Sequence, residues 1–398
     1  MLCSLVSFLI FSTYMRSIIS AFACTENRGS EHELGWRCLC AHAERSDDVH
    51  LLTNTFANPK IVEQIRANGL MQVQIHVVDF PRPVYRMLTS IPGMGYQLVA
   101  YAWEFLLFFY LFRRFGSKHF DLGVKSTYGS YRWPSFLWCF SQEFQMGPIS
   151  GGGRFPLRFM SLFSLRSRLR EFGRMLFQRL TFLDPFVLLT LWQASIIHVG
   201  NQATQDILPR FARKKCQIQQ DFLAVNASDF RIEEAQRTVS VKSHCLKIFY
   251  TGKLLEWKGV ILILRALAKL PSYVNYCFTI MGNGPARGFY QAYTELHNLD
   301  VIFIDPKGVP RADLSFYFLS HDLFVFPTLH GEAGFAPVEA KLHGMRLLTL
   351  DFSGLDFVIQ PEDICIDTHG KQPRAVVAAI SKAIESLYIR LKPRVVHT

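Results

Sequence analysis

The stretch DLFVFPTLHGEAGFAPVEAKLHGMRLLTLDF (322–352) joins two short apolar runs through a glycine-containing loop and a helix-forming segment. The runs DLFVFPT (322–328) and RLLTLDF (346–352) are apolar without alternation, which is typical of parallel strands buried on both faces. Between them, Gly334 precedes Pro337, a residue that suits the first turn of a helix. The order strand, loop, helix, strand predicts one unit of a parallel α/β sheet.

The same alternation extends over most of the 398 residues, a length that favours two or three domains. Further strands are predicted at LKIFYTG (246–252), YCFTIMGNG (276–284), VIFID (301–305), IISAFAC (18–24), DVHLLTN (48–54), MQVQIHVVD (71–79), FDLGVKST (120–127) and EFQMGP (143–148). Helices are expected between these strands. The pattern therefore predicts parallel sheets in both halves of the chain.

A polar, non-periodic segment at 226–244 divides the chain. We interpret it as a linker between a first domain at 15–225 and a second at 245–385, with a tail at 386–398. The apolar run at 1–14 is too short to span a bilayer and lacks the basic start of a signal peptide. An upstream extension, a weak membrane contact and an ordinary extra strand or helix all remain open for it.

The formal net charge of +11 favours anionic partners. Nucleic acid is not expected, because the sequence has neither zinc-finger spacing nor an aromatic RNA-binding signature. A solvated basic face and attraction to an anionic membrane or a phosphorylated substrate both remain open. Nine cysteines without a CxxC pair are typical of reduced thiols in a cytosolic protein.

Two segments have an amphipathic or apolar character. YQLVAYAWEFLLFFYLF (96–112) approaches the length of a spanning helix, but Glu104 favours a core or interfacial helix instead. Residues 154–181 interleave arginine with phenylalanine, leucine and methionine. Such a helix can lie on an anionic membrane or pack on its own domain with its arginines outward, and both alternatives remain open.

Candidate ligand-binding residues follow the predicted strands of the second half. In YTGKLLEWKG, Lys253 and Lys258 accompany Gly252, and GNGP contributes Gly282 after the next strand. Two ammonium groups beside a helix N-terminus form a site suited to a diphosphate. Each string alone is a weak signal, since surface lysines and glycine turns are common.

The loop LHGEAGFAPVEAKLHG (329–344) is more specific. Backbone N–H groups of Gly334, Phe335 and Ala336, at the expected helix start, would face a phosphate. Glu339 is expected in the first turn, where it could accept two ribose hydroxyls or serve only as a favourable charge. His330 precedes this segment, although a histidine in a loop is usually a surface residue.

Residues of about 247–360 resemble the nucleotide-sugar-binding domain of retaining GT-B glycosyltransferases of group 1, family 4. The resemblance rests on YTGKLLEWKG, MGNGP, DLFVFPT and GFAPVEAKLHGMRLLTLDFSG. It implies that Lys253 and Lys258 hold the donor diphosphate. It also implies that Glu339 binds the ribose and that the backbone at 334–336 contacts phosphate.

The first half resembles the same family in AFACTENRGSEHELGW (21–36) and GPISGGG (147–153). The implied fold is GT-B, an α/β architecture of two Rossmann-like domains whose parallel sheets face each other across a cleft. Gly29, Ser30 and Glu31 would line that cleft on the first domain. The resemblance covers nearly all of residues 15–385.

Several positions depart from the family pattern. The first acid of its Glu-seven-residues-Glu motif falls on Gly331. Either Glu332 replaces it after a local shift or the first acid is absent, and Glu332 and His330 are the catalytic candidates. Val124 and Lys125 occupy the places of an expected histidine. After the GPxxGG glycines, Gly153 or Arg154 stands where an acid or amide is expected. The chain also ends sooner after residue 385 than in relatives.

The resemblance implies transfer of a sugar from a nucleotide-sugar to a glycan or lipid-linked acceptor, with retention of configuration. It implies a hexosyltransferase that needs no metal or cofactor, since the nucleotide-sugar is a substrate. A cytoplasmic location, with or without contact with the inner face of the membrane, fits polysaccharide biosynthesis for the cell envelope. Two alternatives are an impaired homologue that acts as a nucleotide-binding or structural partner, and a sugar-phosphate-synthase-like enzyme with a soluble acceptor.

Overall fold

The computed structural model describes residues 15–26, 30–46, 48–91, 95–153, 155–218, 245–307, 309, 313–331, 334–352, 354–355 and 357–391. These form two compact units. The first comprises the described residues up to Gly152 and those from Met175 to Ile218. The second comprises Gly153–Arg174 and the described residues from 245 onward. The predicted extension at 1–14 and linker at 226–244 lie outside the described residues.

The first unit contains a seven-stranded parallel sheet in the order β3-β2-β1-β4-β5-β6-β7. Its strands are β1 Arg16–Ala21, β2 Asp48–Thr53, β3 Val73–Val77, β4 Phe120–Thr127, β5 Ser141–Ile149, β6 Ile196–Val199 and β7 Cys216–Ile218. The five strands predicted in this half are confirmed. The resemblance also implies a strand before the linker in LDPFVLLTLWQASIIHVGN (183–201), where β6 lies. The short strand β7 was not predicted, because a three-residue run carries little periodicity.

The helices of the first unit cover both faces of this sheet. They are α1 Ser30–Ala43, α2 Ile61–Ala67, α3 Arg82–Thr89, α4 Gly95–Arg114, α6 Pro185–Gln193, α7 Gln202–Ile207 and α8 Arg210–Arg213. Helix α5 Leu165–Leu180 begins in the second unit and ends in the first. Residues 153–174 thus belong to the second unit, whereas the sequence analysis places them in the first domain.

Helix α4 packs one face against the core of the first unit, as a core or interfacial helix should. Val99, Trp103 and Leu107 are buried, and the Trp103 indole donates a 2.7 Å hydrogen bond to the Val78 carbonyl. The opposite face exposes aromatic rings. Among the described residues, α4 is the one unbroken helix that is long and apolar enough to cross a membrane. The bent helix pair Leu165–Leu183 and Pro185–Gln193 would be a second candidate if both helices formed a single span.

A buried ion pair links α4 to the sheet. Glu104 on α4 and Lys125 on β4 are 3% and 2% exposed, and the Lys125 Nζ lies 3.6 Å from the Glu104 Oε1. The same ammonium donates to the carbonyl oxygens of Trp133, at 2.8 Å, and Pro134, at 2.7 Å. Lys125, which replaces the histidine expected of the family, therefore points into the core.

The second unit contains a six-stranded parallel sheet in the order β10-β9-β8-β11-β12-β13. Its strands are β8 Leu246–Thr251, β9 Tyr276–Met281, β10 Val301–Ile304, β11 Leu323–Phe326, β12 Arg346–Leu350 and β13 Ile364–Ile366. Its further helices are α9 Val260–Leu267, α10 Arg287–Leu296, α11 Leu314–Ser320, α12 Phe335–Leu342 and α13 Pro373–Leu391. The last helix continues past residue 385, where the sequence analysis ends the domain.

The strand order fixes where a ligand can bind in each sheet. Chain progression reverses between β1 and β4 in the first sheet and between β8 and β11 in the second. Loops that leave neighbouring strands on opposite sides of such a reversal diverge and open a crevice at the carboxyl ends of the strands. In the second unit this crevice lies between the loops that follow β8 and β11, which contain the most specific sequence motifs.

Candidate active site

The loops after β8 and β11 are locked together through their backbones. Gly259 has a φ of 72°, and a Cβ placed on it would lie 1.9 Å from the Pro327 carbonyl oxygen. The Leu329 N–H donates a 2.8 Å hydrogen bond to the Trp257 carbonyl. Only glycine satisfies both the left-handed backbone and the close approach. This contact fixes the turn that carries Lys258.

The loop after β9 packs on the loop after β8 in the same way. A Cβ on Gly282 would lie 2.1 Å from the Gly252 carbonyl oxygen, and one on Gly284 would lie 2.4 Å from the Leu254 carbonyl oxygen. The Leu254 N–H donates to the Asn283 carbonyl at 2.9 Å. The glycine at 282 is thus required by packing between loops, whether or not a ligand also approaches it.

The two candidate lysines differ in how firmly they are held. The Lys258 Nζ lies 4.3 Å from the centre of the Trp257 ring and 5.1 Å from that of Phe326. An ammonium held by two aromatic faces is attracted by their quadrupoles. Lys253 is exposed, and it contributes a backbone carbonyl that accepts a 3.2 Å hydrogen bond from the Tyr250 hydroxyl.

Helix α12 begins at Phe335, two residues earlier than expected. Its N-cap is Gly334, which has no side chain with which to cap the helix, so the N–H groups of Phe335 and Ala336 depend on other partners. A Cβ on Gly334 would lie 3.2 Å from the Phe326 ring. Phe326 is thus shared by the start of α12 and by Lys258.

The earlier start of α12 corrects the position of Glu339. It is the fifth residue of the helix, so it does not lie in the first turn as expected. Its side chain is 6% exposed, and its carbonyl oxygen accepts a 2.7 Å hydrogen bond from the His343 Nδ1. A role as a favourable charge in the first turn is therefore excluded, whereas its role toward a ribose stays a prediction.

His330 is buried, contrary to the usual exposure of a loop histidine. Its ring stacks on Trp257, with centroids 4.2 Å apart and planes 9° apart, and meets the Phe155 ring edge-on at 6.0 Å. The His330 Nε2 lies 2.9 Å from the Glu171 Oε2. Lys258 and His330 thus both contact the ring of Trp257.

Glu171 on α5 was not predicted from the sequence as a site residue, yet it contacts His330. Both the His330 Nε2 and the Arg174 Nε contact its Oε2, each at 2.9 Å. Burial raises the pKa of Glu171, but the hydrogen bond with His330 and the charge of Arg174 outweigh it, and the pKa falls below its ordinary value. One signal was available: Glu171 is the single acidic residue between positions 154 and 183.

A second carboxylate attaches α5 to the same loops. Glu256 accepts hydrogen bonds from the Ser164 N–H at 2.7 Å, the Ser164 hydroxyl at 2.6 Å and the Ser167 hydroxyl at 2.8 Å. Glu256 and Lys258 belong to one 3-10 turn, Glu256–Lys258. Residues 153–174 therefore hold both the turn of Lys258 and the loop of His330.

Two glycines that depart from the family pattern lie close to backbone atoms. A Cβ on Gly153 would lie 2.7 Å from the Gly331 backbone nitrogen, and one on Gly331 would lie 3.0 Å from the Phe352 carbonyl oxygen. A side chain at 153 would need the backbone to move, whereas one at 331 would make a tight contact that a small shift relieves. If Gly153, and not Arg154, takes the place of the expected acid or amide, close packing accounts for its absence.

The described candidates of the first unit, Ser30 and Glu31, lie at the strand reversal of its sheet. Helix α1 begins at Ser30, so Ser30 and Glu31 open a helix and are not part of the preceding loop as expected. The Glu31 Oε2 accepts a 3.0 Å hydrogen bond from the Gly129 N–H, beyond the end of β4. The candidates Gly29 and Glu332 lie outside the described residues, and so does Arg154.

Residues 232–392 match the family described as "Glycosyl transferases group 1". Over these residues the chain is similar to group 1 glycosyltransferases. The structural neighbours have a GT-B fold, and the expected fold is therefore confirmed.

Individual relatives are distant. The chain is 22% identical over 205 residues to the uncharacterized glycosyltransferase MJ1607 of Methanocaldococcus jannaschii, an alignment that covers 49% of this chain and about half, 52%, of that protein. WaaG, a glycosyltransferase involved in lipopolysaccharide biosynthesis, superimposes with a TM-score of 0.58 at 15% identity, over 94% of this chain and 93% of WaaG. Sucrose-phosphate synthase from Thermosynechococcus elongatus gives 0.56 at 15% identity, over 94% and 99%.

Proposed function

We propose that this glycosyltransferase moves a hexose from a nucleotide-sugar to a glycan or lipid-linked acceptor with retention of anomeric configuration. One observation carries the proposal: Lys258 and the N-terminus of α12 meet at Phe326, beside the strand reversal of the second sheet. A fixed ammonium and oriented N–H groups at that crevice suit a diphosphate. Relatives in lipopolysaccharide biosynthesis support a role in polysaccharide assembly.

The chemistry needed from the protein is charge stabilisation. In the transfer, the bond between the anomeric carbon and the diphosphate oxygen breaks while the acceptor oxygen bonds to the same face of that carbon. The acceptor proton passes to the departing diphosphate. Lys258, Lys253 and the α12 N–H groups would stabilise the developing negative charge, so that a metal ion is not required. Glu339 would accept hydrogen bonds from the ribose.

His330 would contact the donor sugar or its diphosphate from the loop before Gly331. Its ring is fixed by Trp257 and Glu171, so that its orientation is set before a substrate arrives. Such pre-organisation lowers the cost of reaching the transition state. Glu332 is the acid closest in sequence to the place of the missing family acid, and it would act beside His330.

The proposal is tested with purified full-length protein and a panel of UDP-, GDP- and ADP-sugars. Released nucleoside diphosphate measures turnover, mass spectrometry identifies the product, and NMR of its anomeric proton reports retention. We expect Lys258→Ala to raise the KM for the donor and lower kcat at least tenfold. Lys269→Ala, which alters an exposed lysine on the same unit, serves as a matched control. A chelator should leave the rate unchanged.

Two results would contradict the proposal. Calorimetry that detects no binding of UDP, GDP or ADP would remove the diphosphate site. Binding without turnover, for every donor and acceptor tested, would instead favour a nucleotide-binding partner. A cytoplasmic location fits either acceptor, and a lipid-linked acceptor would in addition bring the enzyme to the inner face of the membrane; fractionation of cells tests both.

A further inference from the structure

The outer face of α5 carries a continuous apolar stripe. The stripe consists of five large apolar side chains, each between 47% and 72% exposed: Leu165, Leu169, Phe172, Leu176 and Leu180. At about 100° per residue these five side chains fall within an arc of roughly 80° on the helix surface. A helix of 16 residues is about 24 Å long, so the stripe runs along its whole length.

The opposite face of α5 attaches the helix to the protein. Glu171 and Gln178 are buried there, and Ser167 donates to Glu256. On the same wheel these residues lie about 180° to 220° from the middle of the stripe. The helix is therefore held by its polar face and directs its apolar face away from the protein, the reverse of an ordinary surface helix.

Arginines border the stripe on both sides. Arg166 and Arg170 lie along one edge, and Arg168 and Arg179 lie along the other, and all four are exposed. The single acid of the helix, Glu171, is buried and bound on the far side. The outward half of α5 thus combines apolar and cationic side chains without a carboxylate.

Large apolar side chains are also exposed after α5. Leu183 is exposed in the following turn, and α6 adds exposed Phe186 and Trp192. A partly exposed Trp ring suits the boundary between lipid headgroups and acyl chains. An apolar helix face bordered by guanidinium groups fits a membrane surface with negative headgroups.

We propose that the outer face of α5 lies on a membrane surface that contains anionic lipid. The leucine and phenylalanine side chains enter the headgroup boundary, and the four arginines contact lipid phosphates on either side. Because Glu171 and Glu256 hold this helix to the loops of His330 and Lys258, the docked helix also places those loops close to the lipid. The docking itself does not depend on the proposed transfer reaction.

Vesicle flotation tests the surface with the full-length protein. Vesicles of phosphatidylcholine alone are compared with an equimolar mixture of phosphatidylcholine and phosphatidylglycerol. We expect the protein to bind the mixed vesicles and to be released by salt. The variant Leu169→Gln, Phe172→Gln, Leu176→Gln should bind at least tenfold more weakly. Each arginine changed to glutamine should weaken binding about fivefold.

The matched control is Phe289→Gln with Leu296→Gln, which removes two exposed apolar side chains from α10. It should bind vesicles like the unchanged protein. Equal binding by the α5 variant and the control, or equal binding to both lipid mixtures, would overturn the proposal. So would a stable dimer in solution that the α5 variant abolishes. Nucleoside diphosphate affinity, measured by calorimetry on the same variants, tests the proposed function separately and should not change.

Discussion

Replacing Lys125 with methionine should destabilise the first unit more than any surface change. The substitution removes the ammonium that lies 3.6 Å from the Glu104 carboxylate, and it leaves two carbonyl oxygens, of Trp133 and Pro134, without their donor. The carboxylate remains buried without an opposite charge. Breaking a buried pair from one side costs about 3–5 kcal/mol.

The double variant Lys125→Met, Glu104→Leu separates the cost of an unpaired buried carboxylate from the contribution of the intact pair to stability. Replacing both charges by apolar side chains of similar volume is often neutral or stabilising. The two carbonyl oxygens still lose a donor, which costs about 1–3 kcal/mol. We therefore expect the double variant to be more stable than Lys125→Met alone by about 1–2 kcal/mol, so that the two substitutions are strongly non-additive.

Urea-induced unfolding of Lys125→Met, of Glu104→Leu and of the double variant, followed by circular dichroism and tryptophan fluorescence, measures these differences. Burial raises the pKa of the Glu104 carboxyl, and Lys125 opposes that rise. Without Lys125 the carboxyl is protonated more readily, so the loss of stability in Lys125→Met should be smaller at pH 5 than at pH 8. A loss below about 0.5 kcal/mol, or additive effects of the two substitutions, would refute a buried, mutually dependent pair.

Three further predictions concern other parts of the molecule. Gly259→Ala places a Cβ against the Pro327 carbonyl on a left-handed backbone, so we expect a lower free energy of unfolding and weaker diphosphate binding by calorimetry. The control Gly288→Ala adds a Cβ in open space and should leave stability unchanged or raise it. Glu171→Gln should lower kcat with little change in the donor KM, because Glu171 positions His330. It should also change the pH profile of kcat, which the loss of a purely structural contact would not do. A variant with normal kcat and a normal pH profile would contradict this positioning role. Burial lowers the pKa of His42 and of His76 from 6.5 to about 4. Between these pH values the unfolded chain binds more protons than the folded chain, so the free energy of unfolding should fall as the pH drops from 6.5 toward 4, by up to about 1.4 kcal/mol per pH unit for each histidine. The variant His76→Gln should reduce that slope.

Local apolar patterns in the sequence were sufficient to predict most strands of the two sheets. The strand predicted at 120–127 coincides with β4 Phe120–Thr127, and the run at 246–252 differs from β8 by one residue. Continuous apolar runs have few alternatives in a parallel sheet that is covered on both faces. Helix starts were less certain: α12 begins two residues before Pro337, because the extended conformation of Gly334 sets the start and no local pattern reports it.

The sequence by itself determined the two-sheet α/β architecture and the loops that hold Lys258 and the start of α12, since both depend on apolar periodicity and on residues close together in the chain. Only the tertiary structure decided the surroundings of those loops. Glu171 meets His330 across 159 positions, and Gly153 packs on Gly331 through backbone atoms. Contacts between distant segments depend on how the helices and loops pack on the sheets, and that packing leaves no periodic mark in the sequence.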